Sequence, residues 1–230
     1  MKLSNIFMTG RWENLIMSTY EVDSKILEPY LPQDTIIDLY KGKALVSIVA
    51  FTFSKVNFFG FKIPFHQNFG QINFRFYVKS KLDGAKGVVF IKEFAPKPLI
   101  ALTAKLFYNE PFQYKKINYN IIKSSKNIEI TYRYKKIKLT AKSTLNTTNY
   151  KQNSLEYFVV DRYVAFIKNR KEKTLQYKIN HKPWKLMKST NIMLSNNILQ
   201  ILPPKFKKAK HIFSCFINGS YVSVEKGILQ

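Results

Sequence analysis

The chain has a single cysteine, Cys215, which excludes an internal disulfide and a thiolate metal cluster. Within "HIFSCFI" that thiol sits in an apolar run, the setting of a buried, inert side chain rather than a nucleophile. No apolar run approaches the ~18 residues of a transmembrane helix, and the opening "MKLSNIFMTGRWENL" has no apolar core ahead of a small-residue cleavage site. The expectation is a soluble cytoplasmic protein with no membrane partner. The three histidines, His66, His181 and His211, are far apart, and neither an HExxH nor a Cys/His spacing occurs, so no metal site is expected. GxSxG, GxGxxG and GxxxxGK[ST] are missing too, which removes the nucleophile-elbow, dinucleotide and P-loop classes, and no cofactor is expected.

Acidic residues are also scarce: 14 Asp and Glu stand against 38 Lys and Arg, a net charge of +24, and no carboxylate pair can be picked out. Such a charge points to an anionic partner. Only Arg11, Arg75, Arg133, Arg162 and Arg170 are arginines, while lysine, asparagine and isoleucine abound, as an AT-rich genome encodes, so part of the charge is compositional. "YRYKKIKLTAK" and "PPKFKKAKH" interleave lysines with aromatics, a pattern shared by nucleic-acid grooves and by solvated strand edges. Binding of an anionic polymer is therefore one reading.

What is present is a well-stocked core, 46% hydrophobic and 15% aromatic over 230 residues. Period-2 alternation dominates and predicts strands. "ALVSIVAFTFS", "GQINFRFYVKS" and "VVFIKEF" read as consecutive sheet elements. "NIEITYRYKKIKLTAKS" reads as two strands with Ile128, Ile130, Tyr132 and Tyr134 on one face. Further strands are predicted at "TLQYKINH" and at "HIFSCFINGSYVSVE", with Asn218-Gly219 as a hairpin turn. Helical signals are fewer: "SKILEPY" capped by Asp23, "PKPLIALTAKLFY" with Leu99, Leu102 and Leu106 in a stripe, and "NSLEYFVVDRY" capped by Asn153 or Ser154. The polar stretch "STLNTTNYKQNS" reads as a linker or loop. Many strands with a few short helices give an α+β fold.

Four places bear chemistry. Asn73 and Arg75 share one face of a strand whose other face is Ile72, Phe74 and Phe76. If both faces are enclosed, an inward arginine needs a carboxylate, which a ligand can supply; otherwise Arg75 is a surface residue on a half-exposed strand. Arg162 and Tyr163 lie in "DRY", and His181 and Trp184 in "NHKPWKL", where Pro183 stiffens the turn. In "FYNEPFQYKKINY", Lys115 and Lys116 are adjacent, and a lysine beside a cation can lose its proton near neutral pH and form a Schiff base.

With these segments in view, the chain resembles the YqjF-like family of uncharacterised bacterial proteins in the acetoacetate decarboxylase-like superfamily. The matching segments are "MTGRWENLIMSTYEVDSKILEPYLP", "INFRFYV", "PLIALTAKLFYNEPF", "VVDRYVAF" and "INHKPWKL", in the family's order over nearly the whole chain. The resemblance implies one domain, residues 1–230, in which a curved, mostly antiparallel sheet forms a closed or partly closed barrel with a few short helices around a small-molecule pocket. In the decarboxylase a strand carries a glutamate into the pocket, and a Trp-Gly-x-Pro-Lys-Lys segment supplies the Schiff-base lysine and the lysine that lowers its pKa. Here Pro111 falls on that proline, Phe112 and Gln113 replace the lysines, and the glutamate's strand brings Asn73 and Arg75 instead. The polar face of "INFRFYV", taken with the implied pocket, gives the expectation of a small organic anion anchored by Arg75 with Asn73, with Arg162, Tyr163, His181 and Trp184 as second-rank pocket candidates and any chemistry acid/base rather than covalent. A Schiff-base lyase using Lys115 or Lys116 is the enzymatic alternative. No activity and no oligomeric state are carried by the resemblance.

Overall fold

A computed structural model describes residues 5–64, 67–96, 112–169 and 172–230. The elements run β1 (Ile6–Val22), β2 (Thr35–Ile37), β3 (Ala44–Phe58), β4 (Phe69–Ser80), β5 (Lys86–Ala95), β6 (Phe112–Tyr114), β7 (Asn118–Lys123), β8 (Asn127–Tyr134), β9 (Ile137–Thr144) and β10 (Thr147–Thr148). Then follow helix α1 (Leu155–Val160), β11 (Val164–Lys168), β12 (Thr174–His181), β13 (Leu186–Met187), β14 (Asn191–Leu194), β15 (Lys210–Glu225) and β16 (Ile228–Leu229). This is a mostly-sheet fold with few helices. Among the described residues no helix is long and apolar enough to cross a membrane.

Among the described residues one sheet has twelve strands, with the path β10-β13-β15-β1-β3-β4-β5-β11-β12-β16, and a second has four, ordered β14-β9-β8-β7. Strand β12 pairs β15 as well, His181 opposite Val222 and Ile179 opposite Val224, so the pairings from β15 through β1, β3, β4, β5, β11 and β12 return to β15. Pairing is antiparallel except where β5 meets β6 and β11.

Strands β3, β4 and β5 of the circuit are buried on both faces over most of their length, which is why β3 reads as a nearly unbroken apolar run, buried from Ala44 to Phe53. On the outer side Ile72, Phe74, Phe76 and Val78 of β4 pack with Ile128, Ile130, Tyr132 and Tyr134 of β8 and with Leu139 of β9, as the alternation in those strands predicts. The inner side is a separate core: Met17, Val49, Tyr77, Phe90, Ala165, Tyr177 and Cys215, drawn from seven strands, with Val159 of α1 set against them. Burial pushes the Cys215 thiol up to about 12, the inert state its sequence context indicates.

Two sequence expectations are corrected. Asn218-Gly219 is not a hairpin turn: β15 runs straight through it, and Gly219 at φ +83° faces Glu13 of β1. A Cβ there would lie 1.9 Å from the Trp12 carbonyl oxygen, so the glycine permits a close approach of two backbones. "SKILEPY" forms two 3₁₀ turns, Ser24–Ile26 and Glu28–Tyr30, instead of one helix. Asp23 does cap the first, accepting from the Lys25 amide, but Pro29 has no amide to continue the ladder and opens a new turn. The third helix forms as α1, with Ser154 as its cap accepting from the Tyr157 amide. Part of "STLNTTNYKQNS" is ordered, through β10 and the Tyr150 hydroxyl, which donates to Asp161 at 2.6 Å. The "PKPLIALTAKLFY" helix, Pro111, His66 and Arg170 lie outside the described residues, as does the side chain of Phe112.

Candidate functional site

Strand β4 supplies most of the inner polar groups. Alternation puts Gln71, Asn73, Arg75 and Tyr77 on its inner side, opposite Phe51, Val49 and Ser47 of β3. On the other edge Asn73 pairs with Glu93 of β5. Relative exposures are 3% for Gln71, 5% for Asn73, 6% for Arg75 and 4% for Glu93, so the surface-arginine reading does not hold. The strand is enclosed on both faces and Arg75 is a buried cation.

Its guanidinium meets few partners. Nη2 donates to the Val159 carbonyl at 2.9 Å, at the end of α1, and lies 4.0 Å from Met17 Sδ. Among the described residues no carboxylate is within ion-pair distance of Arg75. A hydroxyl chain runs beside it: Thr19 Oγ1 is 2.8 Å from Ser47 Oγ, which is 2.5 Å from the Tyr77 hydroxyl. Gln71 Nε2 donates to Glu93 Oε1 at 2.9 Å.

His181 ends β12, and Trp184 follows it in the connection to β13. Their rings stack with centroids 3.9 Å apart and an interplanar angle of 11°, and Tyr163 packs on the far side of the imidazole at 4.6 Å. The Trp184 indole donates to Ser220 Oγ at 2.8 Å, and the Trp12 ring, which packs on Phe51 and Phe53, is 6.2 Å from Trp184. His181 Nδ1 lies 2.8 Å from the Lys182 carbonyl, so Nδ1 carries the proton and Nε2 the lone pair. Burial holds His181 below its ordinary value, with the charge of Arg75 adding to the depression and the Lys182 carbonyl and Asp161 opposing it.

Arg162 has a different task. Nη1 meets Asp38 Oδ2 at 2.7 Å, Nε donates to the Phe158 carbonyl at 2.8 Å, and the guanidinium stands 4.3 Å from the Phe158 ring centroid. It braces α1, and thereby the Val159 carbonyl, against the loop after β2. Burial lowers its pKa, with Asp38 opposing. The Tyr163 hydroxyl donates to Asp161 at 3.2 Å, and burial together with that carboxylate pushes it up to about 12.

Asn73 and Arg75 stand on the inner side of β4, Trp184 belongs to the inner core and carries His181 stacked on it, Tyr163 packs on that imidazole, and Arg162 is committed to Asp38. Among the described residues, Trp12 Nε1, Gln71 Oε1, Asn73 Oδ1, Arg75 Nε and His181 Nε2 are buried side-chain atoms with no hydrogen-bond partner. Sequence reasoning passed over Trp12, Gln71 and Glu93. Gln71 has the parity of Asn73 and Arg75 and was within reach of that argument. Glu93 was not, because a bulge between Phe74 and Arg75 on the β4–β5 pairing makes Glu93 and Phe90 share the inner side despite their odd spacing.

Lys115 and Lys116 stand in the connection between β6 and β7. The Lys115 amide donates to Ala95, Lys116 is exposed, and Ile117 packs near Gly70 on the outer side of β4, away from Arg75. In the basic segments Arg133, Lys135, Lys136, Lys138 and Lys142 are exposed on the second sheet, and Lys142 pairs with Glu129 at 3.0 Å.

Comparison with known proteins agrees with this architecture. Residues 9–212 match the family DUF2071, whose description is "Uncharacterized conserved protein". The uncharacterized protein YqjF of Bacillus subtilis (strain 168) is 26% identical over 189 residues, spanning 78% of this chain and 74% of its own. Acetoacetate decarboxylase from Legionella pneumophila superposes with a TM-score of 0.65 at 12% identity, over 97% of this chain and 87% of the enzyme. The enduracididine biosynthesis enzyme MppR complexed with pyruvate superposes at 0.61 and 12% identity, over 100% and 91% of the two chains. An acetoacetate decarboxylase-like enzyme from Sphingomonas wittichii RW1 gives 0.61 at 10% identity, over 99% and 94%. The fold is therefore acetoacetate decarboxylase-like.

Proposed function

The chain belongs to the DUF2071 family, and from that premise we propose that its strand circuit is a closed barrel whose interior binds a small organic anion, anchored by Arg75 and Asn73. The carrying observation is the buried Arg75, 6% exposed, whose Nε, like Asn73 Oδ1 two positions earlier on the same side of β4, has no hydrogen-bond partner among the described residues. An orphaned buried polar atom is destabilising by about 1–3 kcal/mol, and an unpaired buried cation by more, so a cluster of them is maintained only where something else completes it. A carboxylate does so for Arg75, taking the fork of donors in a dry setting where charge-assisted hydrogen bonds are strongest. The complex of MppR with pyruvate supports the reading, because the same fold there holds a small organic anion. Any proton transfer falls to the neutral His181 ring, whose Nε2 is unoccupied by protein.

A thermal-shift screen of acetate, pyruvate, acetoacetate, lactate and citrate on the wild type and Arg75→Met tests this. At least one acid is expected to raise the wild-type Tm and to lose that effect in the variant, since a ligand at a hundred times its Kd stabilises by about 2.7 kcal/mol. No shift with any acid, or equal shifts for both proteins, would sink the anchor role.

A further inference from the structure

We infer that the anion is a hydroxy acid: a carboxylic acid bearing one or more hydroxyl groups, in preference to the corresponding keto acid. This rests on the anion-binding reading above and follows from the hydrogen-bond sense of the unpartnered atoms. Arg75 Nε can only donate, so it calls for a ligand oxygen with a free lone pair, which a carboxylate supplies. Three of the other orphaned atoms are acceptors. Gln71 is oriented by the bond from its Nε2 to Glu93, which leaves Oε1 as a buried acceptor with no donor among the described residues. His181 is oriented by the Lys182 carbonyl at Nδ1, which leaves a lone pair on Nε2. Asn73 Oδ1 is the third, on the same side of β4 and one alternation from both Gln71 and Arg75.

A 2-keto acid presents oxygens with lone pairs only. Its carboxylate satisfies Arg75, but its carbonyl brings no donor to Asn73 Oδ1, Gln71 Oε1 or His181 Nε2. A hydroxy acid of equal charge and nearly equal size adds O–H donors, and each closes one of the orphaned acceptors. Alternate positions on a strand are about 7 Å apart, so a chain carrying several hydroxyls can hold Arg75 at its carboxylate end and reach a second acceptor beyond Asn73. Sites with buried acceptors reject ligands that lack the matching donor because the acceptor is then left unpaired.

Isothermal titration with matched acids separates the possibilities: D- and L-lactate against pyruvate, then D-glycerate and D-gluconate, each on wild type, Arg75→Met and His181→Phe. A hydroxy acid is expected to bind at least about tenfold more tightly than pyruvate, the worth of one well-placed hydrogen bond. Arg75→Met is expected to abolish binding of both classes. His181→Phe keeps the stack on Trp184 and is expected to shrink the preference to less than about threefold. Pyruvate binding as tightly as every hydroxy acid would overturn the inference while leaving the anion site standing. An unchanged preference in His181→Phe would overturn the role of Nε2, and binding of none of the acids would remove both the inference and the reading beneath it.

Discussion

Asp38→Asn removes one charge and almost no volume, and it strikes the brace that sets α1 over the inner wall. Its partner Arg162 has a side chain only 2% exposed, against 12% for Asp38, so the guanidinium left behind has no water to replace the carboxylate. Removing one member of a buried ion pair typically destabilises by about 3–5 kcal/mol, because the remaining charge is uncompensated. Arg162 keeps the Phe158 carbonyl at 2.8 Å and the Phe158 ring at 4.3 Å, which places the expected loss at the lower end, about 3 kcal/mol. For a chain of this size each kcal/mol lowers Tm by about 2–4 °C, so calorimetry should show a fall of about 6–12 °C. The double variant Asp38→Asn with Arg162→Gln should lose less than the sum of the two single variants, since it leaves no lone charge. A fall below about 2 °C in Asp38→Asn, or additive losses in the double variant, would refute the brace.

Three further outcomes follow from the same geometry. Gly219→Ala places a Cβ against the Trp12 carbonyl at a backbone φ of +83°, and denaturant titration should show a loss of at least about 2 kcal/mol; an unchanged midpoint would mean the two backbones do not approach there. His181 is held below its ordinary 6.5 in the folded chain, so the unfolded chain takes up its proton first on acidification. Its contribution to stability is complete above 6.5 and falls as pH drops from there toward the depressed folded value; the fall in Tm from pH 7 to 5 should be shallower in His181→Phe, and identical slopes would contradict the buried neutral ring. The exposed lysines of the second sheet, read as a solvated face, should show no tight RNA binding near 0.15 M salt; tight binding with a steep salt slope in fluorescence anisotropy would favour the polymer reading.

The fold was legible where alternation governs. The β4 segment announced both its apolar row and the Asn73–Arg75 row, and β8 announced the face that packs against it. Alternation fails where a residue is inserted or two backbones touch. The bulge beside Arg75 hid Glu93, and Gly219 mimicked a hairpin signal because a positive-φ glycine serves a turn and a close backbone approach equally well. Site membership was legible in part for another reason. A sequence shows that Arg75 and Arg162 are arginines but not which one finds an aspartate; the fold delivers Asp38 to Arg162 across 124 positions and, among the described residues, delivers none to Arg75. Trp12 sits on β1, far along the chain from Trp184, and only the pairing of β1 and β15 brings the two indoles within 6.2 Å.

The most direct test of the central claim is a crystal structure of the protein soaked with the acid that stabilises it most. The account predicts density for the acid inside the strand circuit, its carboxylate within hydrogen-bond distance of Arg75 Nε and its remaining polar groups on Asn73 and His181. The acid bound elsewhere, or an interior filled by the protein's own side chains with Arg75 still unpaired, would contradict it.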